Sequence, residues 1–171
     1  MPTHFKGKAN EVRALDAYIK LSRASGTLDT RLAANLARRG VTAGQFGVME
    51  ALMHLGPLTQ GELGRKLLRS GGNVTTVIDN LERRGLVGRH RNPDDRRVVT
   101  VRLTSTGRQL IEDIFPNHAR AVAQAMATLT VAEQEELGRL CRKLGHRLPR
   151  ELGAMDDHKV KGVAVRAGSA G

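Results

Sequence analysis

Apolar residues recur at helical spacing along most of the chain, and the polar residues between them mark where each helix starts and stops. Three Ser/Thr-x-x-Glu/Gln pairs precede apolar periodic runs, where such a pair satisfies two orphaned backbone donors reciprocally. Thr42-Ala-Gly-Gln45 opens a run with Phe46, Met49, Leu52 and Met53 in register, stopped by Gly56-Pro57. Thr59-Gln-Gly-Glu62 opens a short helix presenting Leu63 and Leu67 on one side. Thr130-Val-Ala-Glu133 opens a last helix carrying Leu137, Leu140, Cys141 and Leu144.

Ahead of these, Val12, Leu15, Ile19, Leu28, Leu32 and Leu36 predict one long helix from about Asn10 to Arg39, kinked at Gly26. Ser70-Gly71-Gly72 reads as a turn and N-cap before Val74, Val77, Ile78 and Leu81, and Gly85 stops that helix. Between Leu86 and Leu103 the period changes to two. Val99, Val101 and Leu103 alternate with Thr100 and Arg102, and Asn92-Pro93-Asp94-Asp95 supplies turn chemistry, which predicts a two-stranded hairpin with a basic tip. A further helix from about Thr104 carries Leu110, Ile111, Ile114 and Phe115, and Pro116 predicts a kink or break before the Ala-rich run to Leu129. The stretch from about Leu152 has no periodicity and reads as a disordered tail.

Composition narrows what such a chain can do. Its 171 residues suit one compact domain with a dimerisation appendage. Lys and Arg total 28 against 17 Asp and Glu, a net charge of +11 that calls for a polyanionic partner, nucleic acid ahead of an anionic membrane. No apolar run approaches the roughly 18 residues of a membrane helix, and the first residues lack a secretory signal's apolar core, so the expected location is cytoplasmic. Aromatic residues make up 2% of the chain, which argues against single-strand binding through rows of stacked bases. The one cysteine, Cys141, can form neither an internal disulfide nor a Cys-based zinc cage, and its spacing predicts a small buried hydrophobe. No two of the six histidines stand three or four apart, so no metal or cofactor is expected; His118 beside Pro116 is the one to watch. Without a Gly-x-Ser-x-Gly elbow or a phosphate-cradling Gly-rich loop, an enzyme is not expected.

The order helix, helix, short helix, turn, helix, hairpin, helix, helix contains a helix-turn-helix followed by a wing, which lays the second helix of the pair in the DNA major groove. Residues 69–108 hold nine Arg, no Lys and four acids, a net +5 over 40 residues. A guanidinium fork can pair bidentately with phosphate or guanine, as an ammonium cannot. Ser70, Gly71, Asn73, Thr75 and Thr76 crowd the first turns of the recognition helix, where short polar groups suit close approach to phosphates and base edges. With Arg84 they form the candidate recognition-helix contacts, and Arg89, Arg91, Asp95, Arg96 and Arg97 form the candidate wing contacts. The competing roles are capping for Ser70, packing for the threonines and a plain solvated face for the arginines. The faces of Leu137, Leu140 and Leu144 and of Val12, Leu15 and Ile19 require a partner surface, which dimerisation or an intramolecular bundle would supply.

These residues resemble the MarR family of winged-helix transcriptional regulators from about Asn10 to Leu148. The resemblance is strongest in LTQGELGRKLLRSGGNVTTVIDNLERRGLV and NPDDRRVVTVRLTSTG. The second stretch is similar to the family's wing signature, with Asp95, Arg96 and Arg97, then Leu103-Thr104 and Gly107. The resemblance implies a mostly α fold with a small β-hairpin wing, a winged helix-turn-helix core flanked by N- and C-terminal dimerisation helices. The expected divisions are 1–9 a flexible N-terminus, 10–40 a dimerisation helix, 41–104 the DNA-binding lobe, 105–148 the C-terminal dimerisation helices and 149–171 the tail. It further implies a homodimer on a pseudo-palindromic operator in double-stranded DNA, with Arg97 in the minor groove oriented by Asp95. Repression is the family's commoner outcome. The family's effector pocket, used for small aromatic or phenolic ligands, would draw here on Tyr18, Phe46, Met49, Met53, His54 and Phe115, although the spacing of Phe46, Met49 and Met53 serves an ordinary core equally. Some members sense oxidation through an N-terminal cysteine; this chain departs from that pattern. The alternative to a regulator is a charge-driven nucleic-acid binder with no effector switch.

Overall fold

A computed structural model describes residues 4–67, 71–91 and 99–147. The elements run α1 (Ala9–Ala37), α2 (Ala43–Leu55), β1 (Leu58–Thr59), α3 (Gln60–Lys66), α4 (Gly71–Arg83), β2 (Val87–Arg91), β3 (Val99–Leu103), α5 (Ser105–Met126) and α6 (Val131–Arg147). This is the helical architecture with a hairpin wing that the periodicity predicts. The chain forms two compact units, one up to Ala125 and one from Met126.

Local chemistry sets the helix boundaries. Gln45 N donates to Thr42 Oγ1 at 3.2 Å, and Gln45 Oε1 accepts from Thr42 N at 3.0 Å, so α2 begins in a reciprocal cap. Thr59 and Glu62 do the same for α3, and Thr130 and Glu133 for α6. The Thr59 backbone hydrogen bond, reinforced by its hydroxyl, holds the Glu62 carboxyl below the usual glutamate range. Glycine ends two helices in the left-handed region, Gly40 after α1 with φ 66° and Gly85 after α4 with φ 67°. The next residue's N–H then reaches back in each case, Val41 to Leu36 O at 3.2 Å and Leu86 to Leu81 O at 2.9 Å.

The first unit's core gathers Leu36, Phe46, Met49 and Leu52 with Leu63 of α3, Val74, Ile78 and Leu81 of α4, and Ile111 and Ile114 of α5. The sheet holds one strand more than the periodicity predicts. β2 and β3 form the expected hairpin, and Leu58 and Thr59 add a third strand by pairing antiparallel with Val101 and Thr100, giving the order β1-β3-β2. Two residues hold too little alternation to register as a strand. The helix around Pro116 is not broken. Pro116 and Glu112, whose carbonyl the proline leaves without its usual donor, are both exposed, so water can serve that carbonyl. α1 likewise runs through Gly26 as the one long helix expected.

In the second unit, α6 leaves residues 131–145 exposed, including Leu137, Leu140 and Leu144. Cys141 is exposed too, against the expectation of a buried hydrophobe, because it belongs to this same uncovered face. Among the described residues no helix is long and apolar enough to cross a membrane.

Candidate nucleic-acid interface

The face that α4 turns outward follows from the face it buries. Val74, Ile78 and Leu81, at i, i+4 and i+7, are fully buried in the core with Leu63 of α3. The opposite side carries Thr76, Asn80 and Arg83 at the same spacing, with Thr76 and Arg83 exposed and Arg83 donating to the Asn80 side chain. Asn80 and Arg83 were not among the expected contacts, although stepping the helical period onward from Thr76 reaches both. Thr75 is half-buried and accepts a hydrogen bond from Gln60 of α3, which ties the first helix of the pair to the second. Gly71 and Asn73 belong to the first turn of α4. Ser70, Asp95, Arg96 and Arg97 lie outside the described residues, as do the turn at 92–94 and the tail from 148.

The wing root packs beside α4. β2 pairs with β3 in the register Val87↔Leu103, Arg89↔Val101 and Arg91↔Val99, which leaves Arg91 and Arg102 exposed. Arg89 turns back instead. Its Nη2 donates to Asp79 Oδ1 at 2.5 Å, its Nη1 donates to Glu82 Oε2, and its backbone N donates to Glu82 Oε1 at 3.2 Å. Burial disfavours the Arg89 charge, but the hydrogen bonds to Asp79 and Glu82 outweigh it and raise the pKa above the ordinary arginine value. Arg84 also has partners elsewhere. Its Nη1 donates to Gly40 O at 2.9 Å and to Gln45 Oε1 at 3.3 Å, fastening the end of α4 to the corner between α1 and α2.

The six expected pocket residues are only partly brought together. Phe46 and Phe115 lie with parallel rings 6.4 Å apart, and His54 meets Phe115 edge-on at 5.1 Å. His118 joins the cluster at 4.3 Å from Phe46. Met49 is fully buried and Met53 packs against the core. Tyr18 is 66% exposed on α1 and stands apart. An open cavity of about 550 Å³ is lined by Leu32, Leu36, Ala43, Phe46, Glu50 and His118 among others; Phe46 is the one expected pocket residue in its wall. The Nδ1 atom of His118 is buried without a hydrogen-bond partner. Among the described residues no three His, Cys, Asp or Glu side chains gather as a metal site.

Comparison with known proteins fits this geometry. The MarR family pattern matches residues 41–99. The HTH-type transcriptional regulator MhqR of Bacillus subtilis is 32% identical over 133 residues, covering 78% of this chain and 92% of MhqR. YkoM of the same organism, an uncharacterized HTH-type transcriptional regulator, is 35% identical over 78% of this chain and 86% of its own length. A MarR variant from Escherichia coli, solved in complex with operator DNA, superposes with a TM-score of 0.70 at 28% identity, covering 81% of this chain and 99% of that one. BpsR of Bordetella bronchiseptica, whose DNA binding is regulated by 6-hydroxynicotinic acid, gives a TM-score of 0.70 at 28% identity, over 75% and 98% of the two chains.

Proposed function

This chain belongs to the MarR family, and from that premise we propose that it is a sequence-specific repressor that binds a pseudo-palindromic operator in double-stranded DNA as a homodimer. The observation that carries this reading is the outward polar stripe of α4 beside the arginine-bearing wing. In the proposal α4 enters the major groove, with Ser70, Gly71, Asn73, Thr75 and Thr76 at its leading end and Asn80 and Arg83 along its exposed side. Arg91, Arg96 and Arg97 reach the flanking backbone and minor groove, and Asp95 orients Arg97.

Homodimerisation is supported by the uncovered apolar row of Leu137, Leu140 and Leu144 and by the exposure of most of α1, where Leu36 alone is buried. Two copies place their α4 helices on half-sites about one helical turn, roughly 10 bp, apart. Release by a small aromatic ligand is supported by the cavity beside Phe46 and His118 and by the ligand named for BpsR. Such a ligand shifts nothing unless it prefers one spacing of the two recognition helices. The regulator acts in the cytoplasm, without enzymatic activity of its own.

The test is selection from a random duplex library followed by competition. The selected sequence contains an inverted repeat, and the protein binds it far more tightly than a scrambled duplex at moderate salt. Equal affinity for scrambled duplex or double-stranded RNA refutes the proposal in favour of a charge-driven binder. Arg97→Ala weakens operator binding by about 1–3 kcal/mol and leaves the sedimentation of the dimer unchanged; an unchanged affinity removes Arg97 from the interface.

A further inference from the structure

Arg89 is an arginine in the wing of a DNA-binding lobe, yet its surroundings are those of a strut. It projects from β2 onto two carboxylates one turn apart on α4, Asp79 and Glu82, and its own backbone N–H joins the second. A guanidinium held by two carboxylates presents no net positive charge to a phosphate. The three groups together carry a net negative charge, which repels one. The guanidinium is also the more covered partner, its side chain 26% exposed against 47% for Asp79 and 39% for Glu82.

We propose that Arg89 is a positioning residue that sets the wing at a fixed angle to the recognition helix through Asp79 and Glu82, and that it makes no phosphate contact. The inference rests on the reading that α4 enters the major groove. Its physical content is orientation. β2 meets α4 across the turn at Gly85, whose left-handed backbone sets a sharp reversal, and a turn alone leaves the angle between helix and strand soft. The planar fork fixes that angle because two of its nitrogens must satisfy acceptors on successive turns of one helix. A hairpin at a fixed angle keeps its tip on the minor groove while α4 sits in the adjoining major groove, so the strut acts on discrimination between sequences. General attraction to DNA depends on other arginines.

The experiment uses the full-length protein and the duplex that the wild type selects from a random library, with scrambled duplex as reference. Arg89→Ala lowers the ratio of operator to scrambled affinity about tenfold or more, and the slope of log affinity against log salt stays at its wild-type value. The partner variant Asp79→Asn/Glu82→Gln gives the test an opposed sign. It removes two negative charges from the DNA-facing lobe, so electrostatics alone tightens binding to every duplex, whereas loss of the strut lowers the operator ratio. A fall in that ratio for both variants supports the proposal. A slope reduced by about 0.9, the value of one phosphate contact, with equal weakening on both duplexes, overturns it for Arg89→Ala. Tighter binding at an undiminished ratio overturns it for the pair. Should Arg89→Ala fail to fold, the neutral pair decides alone. A wild-type protein that selects no duplex overturns the functional reading itself; that failure appears before any substitution and is therefore distinguishable.

Discussion

Gly107→Ala tests how the wing is seated on α5. Gly107 is buried in the first turn of α5, directly against the turn that follows α4. Thr104 organises the junction: its N–H donates to Leu86 O at 3.1 Å, its hydroxyl donates to Gly85 O at 2.7 Å, and its Oγ1 accepts from Gly107 N at 3.0 Å. A Cβ at Gly107 would lie 1.9 Å from Leu86 O and 2.8 Å from Leu86 C, both main-chain atoms with no rotamer to change. Relief requires opening the junction by roughly 1 Å or more, toward ordinary contact distance. That movement breaks the Thr104–Leu86 hydrogen bond in a partly buried site, a loss of about 1–3 kcal/mol, and adds an overpacking strain of about 1–3 kcal/mol. Alanine in place of glycine returns about 0.4–1 kcal/mol by restricting the unfolded chain. The net loss is about 1–5 kcal/mol, and the melting temperature falls by about 2–4 °C for each kcal/mol in a chain of this size. Urea and thermal unfolding at one fixed protein concentration measure it, the concentration being held because assembly shifts apparent stability. Gly61→Ala is the control: its Cβ meets only the mobile end of Arg65 at 3.6 Å, and the variant is at least as stable as wild type. A Gly107→Ala protein that unfolds at the wild-type midpoint or above would refute the reasoning.

Ile78→Ala truncates a fully buried side chain at the centre of the α4 contact face and costs about 2–5 kcal/mol by urea unfolding; a loss below about 1 kcal/mol means that α4 is not anchored as described. Glu62 and Glu133 give the protein part of its acid sensitivity. Backbone hydrogen bonds from Thr59 and Thr130 hold both carboxyls below their unfolded values. Their contribution is therefore complete above the unfolded glutamate pKa, about 4.3, and disappears as pH falls through the lower folded-state values. The Glu62→Gln/Glu133→Gln variant accordingly shows a shallower decline of the urea midpoint between about pH 5 and pH 3. Parallel declines in the two proteins would contradict the capping assignment.

What the sequence disclosed was chiefly what neighbouring residues decide among themselves. The caps at Thr42, Thr59 and Thr130 and the stop at Gly85 involve partners within five residues, and each is where the pattern places it. The inward and outward faces of α4 follow from period alone. β1 escaped because Leu58 and Thr59 already had local roles beside Pro57 and at the α3 cap, while their strand partner lies more than 40 residues away. Pro116 does not end α5, because it and Glu112 are both exposed and water can serve the carbonyl that the proline frees. The arginines were read as one class of DNA contact, since composition cannot tell an arginine aimed at solvent from one aimed at carboxylates. Arg91 is exposed, whereas Arg89 and Arg84 meet partners 7 to 44 residues distant. The aromatic cluster was half visible: Phe46, His54 and Phe115 do converge, and Tyr18, equally plausible by periodicity, does not.

The short strand β1 leaves little independence to the parts around it. Thr59 stands opposite Thr100 in the sheet and, with its side chain and N–H, starts the helix that supports α4. One residue is thus common to the edge of the sheet and to the first turn of α3. The foot of the hairpin and the opening of α3 are therefore tied to one another by a single threonine.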